Sequence, residues 1–131
     1  MTERLLQFIW QFQYYNKNEL TTVSGEELQI ILPGITNSNQ GPDFTDAEVK
    51  ISKTTWAGSI ELHIRTSDWD KHNHEGDKNY GNVILHVVWE DDRSVIKSKQ
   101  NIPVLELKNR ISKILLQRYE VLMNNTSFIP L

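Results

Sequence analysis

Apolar and polar positions alternate along this chain with two different periods, and the period changes mark the elements. Leu5, Phe8, Ile9 and Phe12 recur at helical spacing, which predicts an amphipathic helix over residues 3 to 15 that lays an aromatic face on the core. The apolar run Leu28 to Leu32 follows a Ser-Gly turn and closes at Pro33-Gly34, as a short buried strand would. ITNSNQGP, residues 35 to 42, reads as loop. From Phe44 to Ser52 the period is two: Phe44, Asp46, Glu48 and Lys50 oppose Thr45, Ala47, Val49 and Ile51. After a turn at SKTT, Ile60, Leu62 and Ile64 oppose Glu61, His63 and Arg65, so these two segments are expected to pair as a hairpin. Residues 66 to 82 are polar and rich in Asn, Asp, His and Gly. Val83 to Trp89 then returns as a β-prone run, and Val104 to Leu107 adds a short strand. Ile111, Ile114, Leu115, Tyr119 and Leu122 outline a C-terminal helix that ends near Asn124-Asn125. The predicted class is α+β, a mixed sheet of about four strands flanked by an N-terminal and a C-terminal helix.

Composition narrows the function classes. The chain has 131 residues, 38% of them apolar, and four tryptophans, enough for one domain with its own core. It has no cysteine, which excludes a disulfide framework, a thiolate zinc site and a thiol nucleophile, and is compatible with a reducing, cytoplasmic setting. MTERLLQFIWQFQYYN lacks the basic start and uninterrupted apolar core of a signal peptide, and no stretch approaches a membrane span, so no membrane partner is expected. A net charge of −3 provides no global basic field for nucleic acid.

The chemistry concentrates between Glu61 and Trp89. That window holds all four histidines, His63, His72, His74 and His86, together with Glu61, Asp68, Asp70 and Asp77. Imidazole and carboxylate side by side supply metal ligands, acid/base groups or a buried polar network, according to geometry. The strings NQGPDFTDAEVKI and WAGSIELHIRTSDWDKHNHEGDKNYGNVILHVVWEDD resemble the N-terminal part of an uncharacterised family of bacterial proteins, found mainly in Bacteroidetes and known only as a domain of unknown function. The resemblance runs from the first helix to Leu107. It implies that the chain is a short member or a fragment of a longer protein, with the C-terminal helix facing a missing C-terminal region or a second copy. It implies no activity.

A local pattern is similar to metal-dependent nucleases of the PD-(D/E)xK type, in which an Asp begins one strand and a Glu and a Lys share a face of the next. Here Pro42-Asp43 precedes a strand, and Glu61-Leu62-His63 lies on the strand expected to pair with it. In that reading Asp43, Glu61 and the Leu62 carbonyl hold Mg²⁺ or Mn²⁺, hard ions that prefer oxygen, next to a nucleic-acid phosphodiester. His63 replaces the lysine as base or charge stabiliser, with Asp68, His72 and His74 around the site. The α-β-β-β-α-β order of that fold, restriction-endonuclease-like, fits the elements above if residues 67 to 80 contain a helix.

A second reading takes His63, His72 and His74 with Asp68 or Asp77 as ligands of Zn²⁺, although no familiar zinc spacing is present. The noncatalytic alternative is a binding or structural module whose His/Asp cluster is a polar network. His86, in VILHVVW, reads as a half-buried histidine bonded across the sheet to Glu61 or Asp43. Trp56, Trp69 and Trp89 read as core, Trp69 beneath a turn or helix start at Ser67-Asp68. Gly41, Gly58 and Gly81 read as turn glycines before strands. Lys108, Arg110, Lys113 and Arg118 read as the solvated face of the last helix.

Overall fold

The computed structural model describes residues 1–71, 80–93 and 101–125. Among the described residues three α-helices, α1 (Glu3–Phe12), α2 (Asp68–Lys71) and α3 (Lys113–Asn124), accompany six strands: β1 (Leu28–Leu32), β2 (Ile35–Thr36), β3 (Phe44–Ile51), β4 (Thr54–Arg65), β5 (Val83–Glu90) and β6 (Val104–Glu106). The strands form one mixed sheet in the order β1-β3-β4-β5-β6, with β2 also on β3. β1, β2 and β4 run antiparallel to β3, whereas β5 is parallel to β4 and β6 to β5. A parallel neighbour requires a crossover, and the β4–β5 crossover begins with α2. The α+β class and the flanking helices are as expected, but the sheet has six strands rather than four.

Helix α1 starts where the Thr2 hydroxyl accepts from the Leu5 N–H at 3.1 Å, and stops at Gln13, whose φ of 55° is left-handed. It buries Leu5, Leu6, Ile9 and Trp10 on the sheet, and Trp10 Nε1 donates to the Pro33 carbonyl at 3.0 Å. The predicted aromatic face is displaced by one residue: Phe8 and Phe12 turn aside and pack with Tyr14, and Phe8 also meets Tyr119 of α3. Helix α3 is capped by Ser112, whose hydroxyl accepts from Leu115 N–H at 3.2 Å, and none of its residues is fully buried.

Three expectations fail for identifiable reasons. β1 is an edge strand in which only Leu28 is buried, so an apolar run does not mark an interior strand here. The presumed loop 35 to 42 contains β2, paired with Thr45 and Phe44. Phe44 was expected on the polar face of β3, yet it is buried with Ala47, Val49 and Ile51. The cause is a bulge: Phe44 pairs with Ile60 and Ala47 with Gly58, so three steps on β3 match two on β4, and Asp46 takes up the slack with φ 57°. Asp46→Gly is expected to preserve or slightly raise stability, and Asp46→Val to cost about 1–2 kcal/mol in urea unfolding, because a β-branched residue resists positive φ.

Strand β4 is the centre of the sheet, flanked by β3 and β5. Its Ile60 and Leu62 share one face with Leu85 and Val87 and join the core under α1. The opposite face carries Glu61 and His63 beside His86 and Val88. All four are buried, so the polar side of β4 faces the interior rather than water. Among the described residues no helix is long and apolar enough to cross a membrane.

Candidate functional site

Asp43 stands at the mouth of β3, held by its loop. Asn37 fastens that loop twice: its N–H donates to the Asp43 carbonyl at 2.9 Å and its Nδ2 to the Pro42 carbonyl at 2.9 Å. The Tyr80 hydroxyl donates to the Gly41 carbonyl at 3.2 Å. One step beyond the Phe44–Ile60 pair, Asp43 therefore meets Glu61. The Asp43 N–H donates to Glu61 Oε1 at 3.2 Å, and the Leu62 N–H donates to Asp43 Oδ2 at 2.8 Å. Gln7 Nε2, from α1, donates to Asp43 Oδ1 at 3.1 Å. The two carboxyl groups are interlocked across the strand pair, with the second oxygen of Asp43 tied to the helix.

Glu61 is only 4% exposed. Burial, with the hydrogen bond to Asp43 and its negative charge, pushes the Glu61 carboxyl up to about 10 from the usual 4.5. In this arrangement Glu61 holds its proton at neutral pH unless a cation replaces it. N–H and C=O of one strand residue point to the same side, so the Leu62 carbonyl faces the Asp43 side of β4 together with its bonded N–H.

Next to Glu61, His63 Nε2 lies 3.9 Å from Glu61 Oε2, and His63 Nδ1 lies 2.7 Å from His86 Nε2. The rings are nearly perpendicular, 2% and 0% exposed. Trp69 of α2 closes over both, at centroid distances of 6.1 Å to His63 and 5.0 Å to His86, with Tyr80 edge-on behind it. His86 is thus bonded across the sheet as expected, but it is fully buried, and His63 rather than Glu61 or Asp43 is the partner its Nε2 meets. His86→Ala is expected to cost about 2–4 kcal/mol, from a cavity and from His63 losing a buried hydrogen bond, and urea unfolding would measure it.

The remaining sequence candidates divide. Asp68 Oδ2 accepts from the Arg65 N–H at 3.1 Å at the start of α2. His72, His74 and Asp77 lie outside the described residues. Among the described residues no three His, Asp or Glu side chains are grouped to hold a metal ion, so His63 does not join Asp43 and Glu61 as a third side-chain ligand. Trp69 is core, as expected, whereas Trp56 is 50% exposed. Gly58 is no turn glycine but lies inside β4. Lys108 and Arg110 form a 3₁₀ turn (Lys108–Arg110) before α3 rather than a solvated helix face. Lys108 pairs with Glu90 at 2.7 Å, and Arg110 donates to the carbonyls of Asn16, Asn18 and Glu19. Gln7 was missed. Its signal is an amide between Leu6 and Phe8, inside the apolar stretch Leu5–Trp10 and adjoining the buried arc.

Compared with known proteins, the chain matches the family described as protein of unknown function (DUF2851) over residues 3–131, and it belongs to that family. No curated protein and no solved structure gives a significant match.

Proposed function

We propose that this DUF2851 chain is a divalent-cation-dependent phosphodiesterase acting on nucleic acid, with Asp43 and Glu61 as its acidic ligands. The observation that carries the proposal is the interlock of the two carboxyl groups at the β3–β4 pair, one of them so disfavoured as an anion that a cation would be a natural counter-charge. The element order supports it: α1, an antiparallel trio β1, β3 and β4, a crossover with α2, and then parallel β5 follows the restriction-endonuclease-like order, with the acids where those enzymes carry them.

The donor set suits Mg²⁺ or Mn²⁺: two carboxylates and the Leu62 carbonyl, all oxygen. Such an ion, when bound, polarises a phosphodiester and acidifies a water. Glu61 would give up its proton to hold it. Gln7 and the Leu62 N–H fix Asp43, and the Asp43 N–H fixes Glu61, so the acids need not reorganise. His63 stands where the lysine of such sites would be. Its Nδ1 is held by His86 and its Nε2 faces Glu61, so the ring can take a proton beside the acids.

The test is hydrolysis of single- and double-stranded oligonucleotides in Mg²⁺ or Mn²⁺ by the wild type, Asp43→Asn and Glu61→Gln. Cleavage that falls about 10³-fold in both variants, the equivalent of several kcal/mol of transition-state stabilisation, is the expected result. Absence of cleavage and of Mn²⁺ binding in the folded wild type would overturn it. That outcome would favour the noncatalytic reading, for which the burial of Glu61, His63 and His86 in one network is the supporting observation. A Zn²⁺ titration in the same series addresses the histidine-based metal site.

A further inference from the structure

Gln7 is the one side chain of α1 shown to reach the acidic pair, and it enters from the helix that packs on the opposite face of β4 from His63. We infer that Gln7 is a positioning residue for the cation site, holding Asp43 in the orientation that meets Glu61. The inference rests on the proposed cation site.

Each oxygen of Asp43 has its own donor: Oδ2 the Leu62 N–H, Oδ1 the Gln7 amide. The first donor is a backbone N–H, so that bond survives any substitution at Gln7. Once a cation has displaced the Glu61 proton, that contact alone leaves the carboxyl free to swing. The second bond stops the rotation, so that the remaining lone pairs of Asp43 stay on the Glu61 side. An amide suits this post because it donates without adding charge. A Glu at position 7 could not donate, and would place a third carboxyl about 3 Å from Asp43, which repels in the absence of a cation and shares one in its presence. Gln7 is half-buried at the margin of the α1 core face rather than within it, so its replacement leaves the packing of Leu6 and Trp10 in place.

Mn²⁺ titration of the full chain, by calorimetry and by thermal shift against EDTA, tests this with Gln7→Leu and Gln7→Glu beside Asp43→Asn. Gln7→Leu is expected to bind Mn²⁺ about tenfold more weakly, in keeping with loss of one hydrogen bond to a charged group, with a melting temperature in EDTA close to wild type. Gln7→Glu is expected to melt lower in EDTA and to gain more from Mn²⁺ than the wild type does. A purely structural role for Gln7 would shift the EDTA melting temperature without changing the Mn²⁺ affinity. If the wild type binds Mn²⁺, Asp43→Asn does not, and Gln7→Leu binds as the wild type does, the inference fails while the cation site stands. If the wild type binds none, both fall. Should Gln7→Glu not fold in EDTA, the affinity of Gln7→Leu decides the matter.

Discussion

Glu61→Gln is expected to raise the melting temperature of the cation-free protein, by an amount that grows from pH 5 to pH 8. In the unfolded chain Glu61 ionises at its ordinary value of 4.5, whereas in the folded chain it holds its proton up to about 10. Between those limits the native state binds the extra proton, so stability is fully present below about pH 4.5 and declines as pH rises toward 10. Each pH unit in that window costs about 1.4 kcal/mol. Gln keeps the shape and the capacity to donate to Asp43 but has no proton to lose, so it escapes the decline. The expected advantage over wild type at pH 8 is about 4–5 kcal/mol, or about 15 °C for a chain of this size. Calorimetry in EDTA from pH 5 to 9 measures it. Parallel curves for the two proteins would mean that Glu61 is already ionised in the native state. Mn²⁺ should narrow the gap, because a bound cation replaces the proton in the wild type alone, and its apparent affinity should rise with pH as that proton is released.

Gly58→Ala is the second change with a large expected effect. A Cβ at position 58 would lie 2.4 Å from the Asn82 carbonyl oxygen and 2.6 Å from Ile84 Cγ2. Neither neighbour can yield cheaply: Asn82 O accepts the Ser59 N–H at 2.9 Å where β4 meets β5, and Ile84 belongs to β5. The strands must separate at the point where their pairing begins. The expected cost is about 3 kcal/mol or more in urea unfolding. Gly25→Ala serves as comparison, since a Cβ there meets nothing within 4 Å and only the φ of 88° resists it, at about 1 kcal/mol. A Gly58→Ala protein as stable as Gly25→Ala would mean that β4 and β5 part without loss. The site would feel the change as well, because the Glu61–His86 and His63–Val88 pairings lie a few residues further along the same two strands.

Asp43 and Glu61 could be proposed as partners from the alternation of Phe44–Ser52 and Ile60–Arg65, since a hairpin between those segments brings them level. Even there the bulge at Asp46 was invisible, although Phe44 reaches the core only because of it. His63 was placed on the polar face of its strand because the strand alternates, and its burial did not follow from that. Alternation reports a difference between two faces, and cannot say that α2 and Trp69 cover the polar one. Gly58 looked like a turn glycine for a similar reason: the atoms that demand a missing Cβ belong to Asn82, just before β5, and Ile84, within it, 24 and 26 residues further along.

What could be read from local order was therefore the kind and sequence of the elements: an amphipathic helix, a β-hairpin, a β-prone run after a polar segment, and a last helix. Those follow from periodicity and turn chemistry, which neighbours along the chain impose. Strand order, the parallel placement of β5 and β6, the burial of both faces of β4, the His63–His86 bond and the arrival of Gln7 at Asp43 depend on which surfaces meet. Contacts between residues 23 to 36 positions apart set that site, and no window of sequence short enough to show a period contains both ends of them.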